Sequence, residues 1–360
     1  MDNISKERIY KFDNIKLLAI ILVVVGHVID SFTAKSDMFK SLFIFIYAFH
    51  MPLFIFISGL FQQRFSDTNK LKINKIAFYI ILGFLLKVLN ALCKVVRGKR
   101  FHIVFFGGGT IEWFLFVLAM FMITAYLLRK VHPAIMLSVS LVIGCICGYF
   151  EFICDDYWLS RYFVFLPFYL LGYYMTPELI IKIEKNYAVK IISGLSMLIF
   201  FIMSFRTLPF VYQLRRLFTG RNPFSTLKFE CGFQHRLLCY AISALLCMAV
   251  FCFIPNIKIP ILSNMGKNTL AVYFWHRPIL YLVGATPFFS SVLALGDPLY
   301  KIILLSFGVI LALLLSLDIF MLPLKYLNKL IDKLKPLWCY VLIASPFLIG
   351  LILDILKIKH

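Results

Sequence analysis

The sequence predicts an all-α, polytopic membrane protein, a bundle of about ten or eleven spanning helices. Three observations carry this. Hydrophobic types make up 62 % of the 360 residues and charged types only 15 %, more apolar than a soluble core requires. The mean hydropathy is +0.91. Apolar runs of spanning length recur along the chain, separated by short basic loops. They lie near 15–33, 41–61, 76–96, 111–128, 134–150, 161–175, 189–205, 236–254, 268–285, 301–322 and 337–355. A span needs about 20 apolar residues. The runs therefore consume nearly all of 1–360, which is expected to form one membrane-embedded unit without a separate soluble domain.

The first run follows Lys6, Arg8 and Lys11, as a signal peptide would, but lacks an A-x-A cleavage site, so it reads as a retained helix. It carries Lys16 at its foot and His27 deep inside. Eleven residues are about three helical turns, so the two share a face, roughly 16 Å apart along the axis. Polar groups inside lipid are costly and face the bundle or a wet cavity, and this face reads as a pathway to an imidazole. Asp30 lies three residues beyond His27, within reach to orient the ring as an acid orients a general base. A packing histidine bonded to a carbonyl is the alternative, and local residues do not decide between them.

The second run contains FHMPLFIFISGL, 49–60. Pro52 removes a backbone donor and frees the carbonyl of Ala48, and Ser58–Gly59 permits a close helix crossing. His50 sits at this break, which either admits a ligand or is a kinked packing helix. In the third run Lys87 is charged within the span. The fourth is entered through GGGTIEW, 107–113, a flexible or anion-accepting turn leading to Glu112 and Trp113. It does not match the G-x-x-x-x-G-K-[ST] pattern of a P-loop. Lys87, Glu112 and Asp354 are expected to snorkel at interfaces. The run at 161–175 is short and holds Pro167, so it is expected to be broken or tilted. In 265–280, MGKNTLAVYFWHRPIL, Tyr273, His276 and Arg277 share one helical face. An arginine beside a histidine inside a span points to function. Asp318 is the remaining acid within a run.

The net charge of +20 admits nucleic-acid binding, but the basic residues sit in short loops between apolar runs, where they set orientation. Their distribution places the N-terminus inside, in the cytoplasm, with the protein multi-pass in the cell membrane. The 206–236 loop, with six Lys and Arg, falls outside and counts against this bias, as long loops weigh less. The acidic stretch 151–158 falls outside too. Nine cysteines include no C-x-x-C pair, so no metal site is expected. Most read as buried thiols, while Cys154 and Cys231 lie in polar loops and are a candidate pair.

These segments, in this order, resemble the acyltransferase 3 family of integral membrane O-acyltransferases. Asp13, Lys16 and His27 occupy the places of the family's Asp-x-x-Arg and the histidine eleven residues later. FHMPLFIFISG resembles its phenylalanine-rich segment ending in Ser–Gly, EWFLFVL its Trp–Phe–Leu signature, and NTLAVYFWHRPI its late tyrosine-and-histidine helix. Two positions depart. Lys16 stands for arginine, keeping charge but losing the bidentate fork, and the family's arginine pair appears as Lys72-Ile-Asn-Lys75.

The resemblance implies transfer of an acetyl or other short acyl group from acetyl-CoA to a hydroxyl of a cell-surface carbohydrate or lipid-linked sugar. In that reading His27 is the catalytic base and Asp30 its partner, and Lys16, Lys72 and Lys75 hold the donor. His50, Glu112, Trp113, Tyr273, His276 and Arg277 line the site. No cofactor is bound permanently, and the partners are acyl-CoA, the acceptor and the bilayer, not nucleic acid. Two other classes would use the same polar residues. One is a transporter or lipid-sugar flippase without chemistry. The other is a b-type haem protein with His27, His50 and His276 as axial candidates.

Overall fold

The structure, a computed structural model, describes residues 9–64, 70–108, 111–153, 155–206, 208–221, 223–227 and 231–355. Cys154, Gly109 and Thr110 lie outside the described residues, so the pairing expected for Cys154 and Cys231 falls there too. All regular structure among the described residues is helical.

In chain order the helices are α1 (Tyr10–Asp30), α2 (Asp37–Tyr47), α3 (His50–Arg64), α4 (Ile73–Val96), α5 (Trp113–Leu127), α6 (Pro133–Ile146), α7 (Leu159–Tyr174), α8 (Pro177–Glu184) and α9 (Tyr187–Arg206). They continue as α10 (Leu208–Gln213), α11 (Arg215–Phe218), α12 (Gly232–Phe253), α13 (Leu262–Met265), α14 (Thr269–Val283), α15 (Phe288–Ala294), α16 (Leu299–Leu315), α17 (Asp318–Asp332) and α18 (Pro336–Ile355). Each of the eleven apolar runs coincides with one of these helices or with a broken pair. Among the described residues five helices are long and apolar enough to cross a membrane, or up to eight if each bent pair is one span. The 161–175 run is the single helix α7, continuous through Pro167, and the break expected within it comes at its end instead, where the chain turns by 96° into α8.

α1 is the axis of the bundle. It packs against α2, α3, α13, α14 and α16, and along most of its length its apolar side chains are buried. Its foot is tied to the 255–266 segment. Asn14 Nδ2 donates to the Ile257 carbonyl at 3.0 Å and Ser263 Oγ donates to Asn14 Oδ1 at 2.8 Å. A Cβ on Gly266 would lie 2.1 Å from the Asp13 carbonyl oxygen, so only glycine permits this approach. Lys11, beside it, ion-pairs with Glu184. Bonds of this kind at a buried helix foot fix the register of α1, and with it the heights of Lys16 and His27.

The break predicted at Pro52 is present. α2 ends at Tyr47 and α3 starts at His50, and the freed Ala48 carbonyl accepts a hydrogen bond from Ser243 Oγ of α12. A backbone acceptor released inside lipid must find such a partner. The close crossing predicted from Ser58–Gly59 is equally concrete. A Cβ on Gly59 would lie 2.1 Å from the Tyr169 carbonyl oxygen of α7, and one on Gly172 of α7 would lie 1.9 Å from that of Phe56. Small residues thus let α3 and α7 touch backbone to backbone. On the opposite side α9 leaves Ile191, Leu195, Leu198 and Ile199 exposed, the pattern of a helix facing lipid chains.

Lys87 and Glu112 do not snorkel. Lys87 is 6 % exposed and donates to the carbonyls of Val104 and Gly107, the latter at 3.0 Å. Its ammonium also lies 5.1 Å from the Trp158 ring centre. The described part of the glycine turn is therefore held through its oxygens by a cation. Glu112 is buried and accepts from Asn90 Nδ2 of α4. The 101–108 segment gives Lys87 its partners and α4 gives Glu112 one, so neither charge needs to reach an interface. Asp318, at the start of α17, accepts from Asn268 Nδ2 at 3.0 Å. Asn268 also donates to the Ser316 carbonyl at 2.8 Å, and the two bonds anchor the N-terminus of α14.

Candidate active site

One stripe of α1 lines two cavities in succession. Lys16, Ile20 and Val23 face a first chamber of about 230 Å³. His27 and Asp30, the next residues at helical spacing, face a second of about 370 Å³. α14 runs alongside and repeats the arrangement: Thr269, Leu270 and Tyr273 line the first chamber and Arg277 the second. Met51, the residue after His50, lines both. The chambers are thus back to back, with Met51 between them.

The first chamber is walled by Phe54, Ile57, Ser58 and Phe61 of α3, Lys75 and Tyr79 of α4, and Phe114, Leu115 and Leu118 of α5. Lys16 ion-pairs with Asp13 at 2.9 Å and lies over the Phe61 ring. Lys72 is absent from the described lining of this chamber. It lines a neighbouring groove with Lys75, Lys325 and Asn328. The three lysines expected at a donor mouth therefore divide, with Lys75 shared between chamber and groove. Tyr273 is fixed by donating its hydroxyl proton to the Ile111 carbonyl at the entry to α5.

In the second chamber the His27 ring stacks on His276 at 5.3 Å and meets Tyr47 edge-on at 6.4 Å. Tyr47 stacks on Phe43 and packs against His50. The Nδ1 atom of His276 lies 2.9 Å from the Val272 carbonyl and that of His50 lies 2.8 Å from the Ile46 carbonyl. A carbonyl only accepts, so both rings carry their proton on Nδ1 and leave Nε2 as an acceptor. His276 is fully buried and does not line the chamber; it backs His27.

His27 differs from the other two histidines, since its Nδ1 is buried without a hydrogen-bond partner among the described residues. The three-residue spacing brings Asp30 into the same chamber without a hydrogen bond to the ring. Arg215 and Arg277 line the same chamber. Stacked rings also do not suit axial ligation of a haem, which needs two ring nitrogens aimed at a common centre from opposite faces.

Trp113 lines the second chamber, stacked on Phe165 and covered by the Arg161 guanidinium at 4.7 Å. Glu112, one residue earlier, lines neither chamber among the described residues. Arginine is what sequence reasoning missed here. Arg161 of α7, and Arg215, Arg216 and Arg221 of the 206–236 segment, join Arg277 around His27. The signal was the basic density of that segment, read only as a term in the orientation count.

The two chambers of this helical membrane bundle meet at Met51, and the imidazole of His27 lines the second. A comparison with known protein families matches residues 9–321, described as an acyltransferase domain, and the chain belongs to this family, acyltransferase 3. It is a multi-pass membrane acyltransferase acting on groups other than aminoacyl groups. This membership decides against a transporter without chemistry. Comparison with curated proteins and with solved structures finds no match.

Proposed function

We propose that the protein moves an acetyl or other short acyl group from acyl-CoA to a hydroxyl of a cell-surface carbohydrate or lipid-linked sugar, with His27 as general base. The observation that carries this reading is the single stripe Lys16–Ile20–Val23–His27–Asp30, which lines one chamber with its first three residues and the other with its last two.

The acyl-CoA enters the first chamber, its phosphates near Lys75 and, in the adjoining groove, Lys72. The narrow, largely apolar space beyond receives the acyl-bearing arm, with the thioester near Met51. The acceptor hydroxyl comes from the second chamber. An imidazole nitrogen of His27 takes the hydroxyl proton as the oxygen attacks the thioester carbonyl. The carbon–sulfur bond breaks, the ester forms, and the CoA thiolate leaves with the proton returned from the imidazolium. His276, stacked behind, holds the ring in place, and Tyr47 closes its edge. The positive loops favour an N-terminus in the cytoplasm, which sets the lysine chamber on the side where acyl-CoA is found. Acyl-CoA serves here as a substrate, with no resident cofactor.

The test is transfer of label from acetyl-CoA to a carbohydrate hydroxyl by purified protein, with acetyl-CoA affinity measured separately by calorimetry. Loss of a general base costs about 10²–10⁴ in rate. His27→Ala and His27→Gln are expected to lose at least about a hundred-fold in transfer while keeping most of the affinity. A folded His27→Ala protein that transfers at the wild-type rate would overturn the mechanism.

A further inference from the structure

The second chamber is charged as no neutral sugar requires. Arg161, Arg215, Arg216, Arg221 and Arg277 line it, against one lining carboxylate, Asp30. A second acid, Asp155, lies beside it and pairs with two of the five, 3.0 Å from Arg221 Nε and 3.4 Å from Arg161 Nη2. With both acids ionised and Arg216 left aside, cations still exceed anions by two among the described residues. Tyr47 and Thr219 offer hydroxyls that could serve a neutral sugar as donor and acceptor at once, but the guanidinium groups outnumber them.

Arg161 is the most telling. It is 5 % exposed, lies over the Trp113 ring and pairs with Asp155, yet its Nη1 is buried without a hydrogen-bond partner among the described residues. The same holds for Nε of Arg277. Buried donors on a guanidinium are costly to leave unmade, and a carboxylate or phosphate is the acceptor that matches their planar fork. A cleft lined by one sign of charge also concentrates ligands of the other.

We propose that the acyl acceptor is an anionic glycan, bearing a carboxylate or a phosphate near the reacting hydroxyl, and that Arg161, Arg215, Arg221 and Arg277 bind that oxyanion while His27 faces the hydroxyl. This rests on the assignment of the second chamber to the acceptor. Asp155 is a positioning residue: it fixes two of the guanidinium groups from behind. Lysines serve the donor side and arginines the acceptor side, so each substrate meets its own cations.

The test uses the purified full chain in detergent and three probes. They are an oligosaccharide of glucuronic acid residues, its carboxyl-reduced neutral counterpart, and that neutral backbone carrying phosphate esters. Binding is measured by calorimetry, and transfer by label from acetyl-CoA. At least one charged probe is expected to bind roughly ten-fold or more tightly than the neutral one, the preference shrinking as salt is raised. Which charged probe wins separates carboxylate from phosphate. Arg215→Ala and Arg221→Ala, at partly exposed positions where folding is least at risk, should each erase most of the preference. Arg215→Lys should restore only part of it, because an ammonium lacks the fork.

Equal binding of all three probes, or of none, overturns the proposal. So does an Arg215→Ala protein whose acceptor preference is intact and whose KM for acetyl-CoA has risen, since the arginines would then serve the donor's phosphates. Charge-selective, Arg215-dependent binding without transfer from acetyl-CoA would sustain the anion site and overturn the donor assignment instead.

Discussion

The two chambers share one face of α1 and one face of α14, yet their chemistry differs. The first is narrow, walled by phenylalanines, and edged by the lysines Lys16 and Lys75. The second is larger and ringed by arginines around His27. A lysine ammonium on a flexible stem is a point charge that tolerates movement, whereas an arginine presents a rigid fork that demands geometry. The first set suits phosphates on a mobile, thread-like donor. The second suits a group that must be held while its neighbouring hydroxyl reacts. Orientation of this kind is worth several kcal/mol of barrier, on the order of 7–11 in well-aligned cases.

The largest effect short of removing His27 should come from closing the junction. Met51 is shared by both chambers, so Met51→Trp fills the passage. Transfer is expected to fall about a hundred-fold, as a small misplacement of reacting atoms can cost that much, while acetyl-CoA and acceptor each still bind alone by calorimetry. A Met51→Trp protein with full transfer would mean that the chambers do not communicate there.

Next in size is Lys72→Ala with Lys75→Ala. It should raise the KM for acetyl-CoA roughly ten-fold through lost charge-assisted contacts and leave kcat and acceptor binding almost unchanged in steady-state kinetics. If instead acceptor affinity drops, the assignment of chambers to substrates is inverted. Asp30→Asn should be smallest. No hydrogen bond joins Asp30 to His27 among the described residues, and Asp30 shares the chamber with Arg215 and Arg277. A change of only a few-fold in kcat/KM is expected, of the size that loss of one partly exposed charge among others brings. A loss as large as that of His27→Ala would restore Asp30 as the imidazole's partner.

What the sequence made legible was periodic or steric. The stripe from Lys16 to His27 follows from helical spacing, and both residues line cavities as that spacing requires. Pro52 implied a freed Ala48 carbonyl, and Ser58–Gly59 implied a close crossing; both follow from local covalent geometry. Arg161, Arg215 and Arg221 were illegible because they reach the site from the first turn of α7, from the four-residue α11 and from the segment after it, where no sustained period relates sequence to direction. Lys87 and Glu112 were misread for a related reason: their partners, the 101–108 loop for Lys87 and Asn90 of α4 for Glu112, are brought to them by tertiary contacts. Asp30 shows the limit of spacing itself. Three residues put it in the chamber of His27, but sharing a face does not by itself make a hydrogen bond to the ring.

The central proposal is that one imidazole serves a donor chamber reached from the cytoplasm and an acceptor chamber reached from the other side of the membrane. The direct measurement reconstitutes the protein in sealed vesicles, seals labelled acetyl-CoA inside, supplies the acceptor only outside, and sorts the orientation of the chains by impermeant labelling of a cysteine placed at Lys70 in a background without the native cysteines. Vesicles whose Lys70 end faces the lumen should acetylate the external acceptor, those of opposite orientation should not, and His27→Ala should abolish transfer in both. Acetylation only when both substrates share one side of the membrane, or equal transfer by the two orientations, would contradict the account.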